Sequence, residues 1–321
     1  MIELEKKALT FIFENLCEDG SLIEVDSYED YFEVILILID YEKYEYVKKI
    51  LKYLLQFQKR SGEFNFPELL NDAGNYNSVF ILNLISKYLS KIDSKEEIIF
   101  FIKYIKKSLN NLKFFFEEDY LLFYDFDIRK RKCFFAKENF IFLNFADEIS
   151  DLLNEYDFIK EADEIFMLKG KIELGVQRYL IQGNQIVKFF EIHTLKYKLM
   201  NDIEILEISN IFNLNKYLIN EILEKLKLIQ KNFQNVSNRL LFYLILKNNQ
   251  ENYLNLLEED YDFLLEIPNE IVSKDFYGSI EKSLFNKELK IIDVKSKTQK
   301  IVIKDFGRLV VASRILKLLL K

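Results

Sequence analysis

The chain has 321 residues, half of them hydrophobic and 30% charged, with a formal net charge of -7. This is the balance of a globular chain, long enough for two ordinary domains or one large closed one, and not that of a disordered or a membrane chain. Nucleic acid is not an expected partner, because the one dense basic cluster, "DIRKRKC" at 127–133, is short and flanked by acids, as at a solvated hairpin tip.

In chain order, "MIELEKKALTFIFENL" alternates acids and bases through a helical period and predicts a helix over 3–17. It lacks the basic start, apolar stretch and small-residue cleavage site of a secretory signal, so a cytoplasmic location is expected, with Cys17 and Cys133 as buried thiols. Apolar residues recurring three and four apart predict further helices over 28–40, 43–58, 75–92, 95–113, 136–155, 158–181, 201–212, 214–232, 236–248, 250–265 and 306–320. Apolar runs such as Val34 to Ile39 are no more than seven residues long, against roughly 18 for a spanning helix, so no membrane partner is expected. Two segments alternate apolar and polar positions around a charged tip and read as β-hairpins: "YLLFYDFDIRKRKCFF" (120–135) and "KELKIIDVKSKTQKIVIKDF" (287–306). "NQIVKFFEIH" (184–193) reads as a further strand.

Tight links such as "DYEK" and "SKID" alternate with long, glycine-bearing ones such as "KRSGEFNFPELLNDAGN". That pattern stacks helix hairpins with their long loops on one face, and a period of roughly 45 residues suits either an open solenoid or a closed ring of six hairpins. No low-complexity linker divides the chain, so a single domain over 1–321 is expected: an all-α (α/α)6 toroid with small β-hairpins on one face.

The sequence contains no glycine-rich phosphate loop, no nucleophile elbow and no zinc-ligand spacing, so neither a cofactor nor a metal is expected. The lone histidine, His193, reads as a packed or hydrogen-bonded structural residue. Any chemistry therefore falls to carboxylates, with tyrosines beside them.

The ordered segments "CEDGSLIEVDSYEDYF" before the second helix, "QFQKRSGEFNFPELLNDAG" before the fourth and "LFYDF" before the sixth resemble the glucoamylase-like glycoside hydrolases. Under that resemblance Asp19, Gly20 and Ser21 match the family's opening turn, and Tyr28 and Tyr31 match the aromatic pair leading into the sugar pocket, with Asp26 on its rim. Gln56 or Gln58, with Ser61, Gly62 and Glu63, matches Gln-x-x-x-Asp-Gly, and Asp72 matches the acid before the fourth helix. Tyr124 and Asp125 stand where the family has Trp and its general-acid Glu; Glu288, placed by counting back from the last helix, stands near its general base. The Trp-x-Arg-Asp that grips the terminal sugar in the family is replaced here by Val34, Ile35, Leu36 and Ile37.

What the resemblance implies is inverting hydrolysis of an α-glucoside or related oligosaccharide, which needs an acid and an ionised carboxylate about 6.5–9.5 Å apart with a water between. Asp125 and Glu288 are the expected pair; Asp26, Tyr28, Tyr31, Asp72 and Tyr124 are the expected substrate contacts. The alternative is a toroid that has lost catalysis and binds a glycan or a protein. A terpene-cyclase-like toroid is disfavoured, since the chain has no Asp-x-Asp-Asp run and no defensible zinc set.

Overall fold

The computed structural model describes residues 2–23, 25, 28–64, 75–126, 131–183, 185–211, 216–227, 236–248, 270–271, 280–282, 290–291 and 308–320. They form helices α1 (Ile2–Glu14), α2 (Tyr28–Asp40), α3 (Tyr44–Leu55), α4 (Asn75–Leu89), α5 (Lys95–Phe114), α6 (Ala136–Glu155), α7 (Ile159–Gly175), α8 (Asp202–Ile211), α9 (Lys216–Lys227), α10 (Val236–Asn248) and α11 (Arg308–Leu319). Strands β1 (Phe116–Glu117), β2 (Leu122–Phe126), β3 (Lys132–Phe135), β4 (Ile181–Gln182), β5 (Gln185–Glu191) and β6 (Tyr197–Leu199) lie between α5 and α8. Strands β7 (Glu270–Ile271), β8 (Ile280–Lys282) and β9 (Lys290–Ile291) form a second, antiparallel sheet. The predicted helix over 250–265 and most of the predicted hairpin at 287–306 lie outside the described residues.

The chain groups into two compact units, residues 1–17, 22–37 and 229–321 in one, 18–21 and 38–228 in the other. In the larger unit, successive helices differ in how they are buried, and the sequence explains why. α3 buries one stripe, Val47, Ile50, Leu51, Leu54 and Leu55, at the spacing of a surface helix. α5 does the same with Ile98, Phe101, Ile102, Ile105, Leu109 and Leu112, and Ser94 caps its first turn by accepting the Glu97 N–H. α4 and α6 instead carry apolar or small residues all round: every residue from Asn77 to Ser86 is buried, and so is most of Ala136–Ala146.

These two buried helices run parallel, because Asn144 donates to Asn83 at 3.3 Å and, one turn on, Ser86 donates to Glu148 at 2.6 Å. Lys87 pairs with the same Glu148 carboxylate. Parallel neighbours separated by α5, which runs back the other way, are helix hairpins stacked side by side. The links entering α4 and α6 therefore gather at the same end. Each entry is tied down by an asparagine in the first turn of its helix: Asn77 donates to the Phe64 carbonyl, and Asn139 binds the backbone of Phe123 and Phe135.

The hairpin repeat is visible in the turns as well. The bridge Leu16–Leu22 with Gly20 inside it recurs 42 residues later as the bridge Gln58–Phe64 around Gly62. Both glycines have positive φ, and a Cβ would lie 2.3 Å from the Lys49 carbonyl oxygen at Gly20 and 2.1 Å from that of Lys107 at Gly62. Only glycine meets both conditions. Gln58, which with Gln56 is one of the two glutamines the resemblance aligns with Gln-x-x-x-Asp-Gly, donates its amide to Tyr104 O and Ser108 Oγ, fastening this turn to α5. Gly62→Ala is expected to cost about 2 kcal/mol or more, read as a lower denaturant midpoint at unchanged slope.

In the smaller unit α11 packs against α1 and α10, and Lys247 at the end of α10 donates to the carbonyls of Lys317 and Leu320, where α11 finishes. Arg314 of α11 meets Glu33 of α2 at 3.2 Å, and both side chains are buried. A buried pair is costly to break, because removing one partner strands the other charge. Arg314→Met alone is expected to lose about 3–5 kcal/mol of unfolding free energy, and Arg314→Met with Glu33→Leu to recover most of it, in a double-mutant cycle of urea melts.

Candidate functional site

The sheet between α5 and α8 has the order β1-β2-β3-β5-β4, with β6 on the other side of part of β5. Its first hairpin arises as the alternation in "LFYDF" and "KCFF" predicts: Tyr124 faces Phe134, Asp125 faces Cys133 and Phe126 faces Lys132. β3 then pairs with β5, placing Cys133 opposite Glu191, Phe134 opposite Phe190 and Phe135 opposite Phe189. Directly opposed residues share a face of the sheet and neighbours along a strand alternate, so two different surfaces result.

One surface is aromatic. Phe134 and Phe190 stack at 6.0 Å, and Tyr120 joins them to Tyr179 of the π-helical turn Val176–Leu180 that follows α7. Tyr124 lies on this surface, half-buried, with its hydroxyl donating to Phe114 O, its ring beside Phe115 and Phe126, and Lys132 Nζ 3.8 Å above the ring centre. A lysine over a tyrosine beside an exposed Phe126 has the chemistry to face a sugar ring, and is also a stable cation–π contact in its own right.

The other surface carries Phe123, Asp125, Cys133, Phe135, Phe189 and Glu191. Phe123 packs edge-on against Phe142 of α6, and Asn139 both accepts from Phe123 N and donates to Phe123 O and Phe135 O. Beyond this clamp the surface turns polar. Asp125 is 5% exposed and accepts the Phe126 N–H at 2.6 Å; Glu191 is 3% exposed and meets Arg131 at 2.6 Å. Glu138, in the first turn of α6, is a further buried carboxylate. Among the described residues no group of three or more His, Cys, Asp or Glu side chains gathers as a metal requires. Cys17 and Cys133 are free thiols; Cys133 is buried as expected, whereas Cys17 is only half-buried.

The residues predicted from sequence are thus divided. Tyr124 and Asp125 stand side by side in β2, on opposite surfaces. Asp26, Asp72 and Glu288 lie outside the described residues, as does the side chain of Tyr28, whose backbone opens α2. Tyr31 is 4% exposed and its hydroxyl accepts the Leu22 N–H, so its ring sits in the core of its unit and offers no face for stacking. Asp19 and Ser21 make a local turn, with the Ser21 hydroxyl and then its N–H bonded to the carboxylate and holding its pKa down. His193, expected to be a packed or hydrogen-bonded residue, is not packed but exposed in the turn between β5 and β6, because β5 ends at Glu191. Glu191 was not predicted as a site residue; its one signal in the sequence is an acid ending an apolar strand.

No protein-family model and no curated protein matches the chain by sequence. Solved structures do resemble it. An alpha-amylase from Clostridium perfringens superposes with a TM-score of 0.60 at 14% identity, covering 98% of this chain and 97% of its own. A rhamnosidase from Klebsiella oxytoca, solved with rhamnose bound, gives 0.59 at 10% identity, covering 98% of this chain; the present chain spans 63% of the rhamnosidase's length. At these identities the likeness is one of fold, and both neighbours are glycoside hydrolases. The chain therefore has the predominantly helical fold of toroid glycoside hydrolases, with small β-hairpins attached. Among the described residues no helix is long and apolar enough to cross a membrane.

Asn139 is the residue that holds the β2–β3 hairpin on α6. Asn139→Ala leaves the buried N–H and C=O of Phe123 without that partner, and is expected to cost about 2–4 kcal/mol in thermal or urea unfolding.

Proposed function

We propose that the chain is a divergent glycoside hydrolase, a single toroid domain over 1–321, that hydrolyses an α-glucoside or related oligosaccharide with inversion, Asp125 acting as the general acid. The observation that carries this reading is a buried carboxyl, Asp125, in the hairpin that enters the deeply buried α6, within a fold shared along its length with glycoside hydrolases. The Phe126 N–H binds one oxygen of Asp125 at 2.6 Å and restrains the carboxyl. An acid so held is oriented to deliver its proton to the glycosidic oxygen as the bond breaks, a contribution of about 10²–10⁴ in rate. Asp26, Tyr28 and Asp72 remain the substrate contacts that the resemblance proposes; Tyr124, on the opposite surface of the sheet from Asp125, is not among them. The sequence spacing nominates Glu288 as the ionised partner that activates water.

A second reading keeps the fold without turnover, as a glycan-binding or protein-interaction module. Two observations favour it: the aliphatic Val34–Ile37 in place of the family's sugar grip, and exposed Ile159, Phe166, Met167 and Leu174 on α7.

Incubation with maltotriose, p-nitrophenyl α-glucoside and p-nitrophenyl α-rhamnoside, followed by NMR of the first-formed anomer, separates the two. Hydrolysis with inversion is expected, and Asp125→Asn is expected to reduce kcat by about 10²-fold or more while melting as the parent does. Calorimetric binding of maltotriose without any release of product selects the module.

A further inference from the structure

We infer that the catalytic base of the proposed reaction is Glu191, standing across β3 from Asp125. The inference rests on the hydrolase reading above and changes the residue that completes it.

The register brings the two carboxyls together. Asp125 is directly opposite Cys133, and Cys133 is directly opposite Glu191, so the three side chains leave the same surface of the sheet in one row. Two strand spacings separate the backbones of Asp125 and Glu191, about 9.5 Å. Side chains rising in parallel from backbones so spaced hold their carboxyls near the upper end of the about 6.5–9.5 Å that inverting hydrolysis uses, where a water fits between them. Cys133 has the shortest side chain of the three, so the two carboxyls rise on either side of it.

Position within the sheet and charge agree with this role. The row lies at one end of the sheet: Asp125 is the penultimate residue of β2, Cys133 the second of β3 and Glu191 the last of β5. Glu191 is also held at both backbone groups, its N–H donating to Lys196 O at 2.8 Å and its carbonyl accepting from Leu195 N at 3.0 Å, so the turn after β5 fixes where the side chain starts. Its carboxylate Oε2 meets Arg131 Nη1 at 2.6 Å, and the Arg131 side chain is 38% exposed, joining this buried carboxylate to the solvent edge of the sheet. The guanidinium makes a charge-assisted hydrogen bond to one oxygen and orients the carboxylate without being able to take up its proton, as a positioning group for a base should.

In the step this arrangement performs, a water held by Glu191 attacks the anomeric carbon and gives Glu191 its proton. The bond from that carbon to the glycosidic oxygen breaks, its electron pair stays on the oxygen, and that oxygen takes the proton of Asp125. One water is consumed for each bond cut, and exchange of protons with solvent returns Glu191 to its ionised and Asp125 to its protonated form.

The test uses the full chain with the maltotriose and p-nitrophenyl glycosides above. Glu191→Gln keeps the length of the side chain and one acceptor oxygen for Arg131, and is expected to lower kcat by about 10²–10⁴-fold with a small change in KM. Glu191→Ala is expected to regain turnover when formate or azide is added, since a small anion can take the place of the missing carboxylate; a purely structural loss would not respond. Retained kcat in Glu191→Gln, or a loss in that variant matched by a lower melting temperature with no anion rescue of Glu191→Ala, overturns the assignment while the hydrolase reading stands on Asp125→Asn. Absence of turnover by the unaltered chain on all three probes overturns the hydrolase reading, and this pair with it.

Discussion

Asn139 spends its whole side-chain amide on backbone: it accepts from Phe123 N and donates to Phe123 O and Phe135 O, from a position with no solvent exposure. Water cannot replace those bonds, so the hairpin and the helix that follows it form one rigid object. α6 is buried on nearly every side and must be wrapped by other helices, while β2 and β3 must sit where α6 begins. The position of Asp125 follows from that attachment, and so does the row it shares with Cys133 and Glu191.

The same device appears one hairpin earlier in simpler form. Asn77, in the first turn of α4, donates to Phe64 O at the end of the tight turn around Gly62. There the described part of the entering link is a tight bridge; ahead of α6 the link forms strands of a sheet that also takes in β5 and β6 from beyond α7.

Much of the fold was legible because its signals are local. α2, α6 and α10 run over the residues their apolar spacing marks, and the β2–β3 hairpin falls within "YLLFYDFDIRKRKCFF" as its alternation requires. The helix expected to run from 158 to 181 ends at Gly175 instead, then widens into the π-helical turn. Gly175 lies against the turn between β1 and β2, where a Cβ would be 2.4 Å from Leu121 O and 2.7 Å from Tyr120 O. Apolar periodicity continues through that point and carries no mark of the contact. Tyr31 shows the converse. An aromatic at a loop–helix junction looks the same in sequence whether it lines a pocket or, as here, fills a core and binds the preceding turn.

By itself the sequence determined the helices, the hairpin, the thiols and the acid in "LFYDF", since periodicity, alternation and residue chemistry act over a few positions. Only the tertiary structure decided that Glu191 stands across Cys133 from Asp125, because the pairing of β3 with β5 joins strands separated by the whole of α6 and α7. Strand register depends on how those two helices pack, and a shift of one residue would have turned Glu191 to the opposite surface.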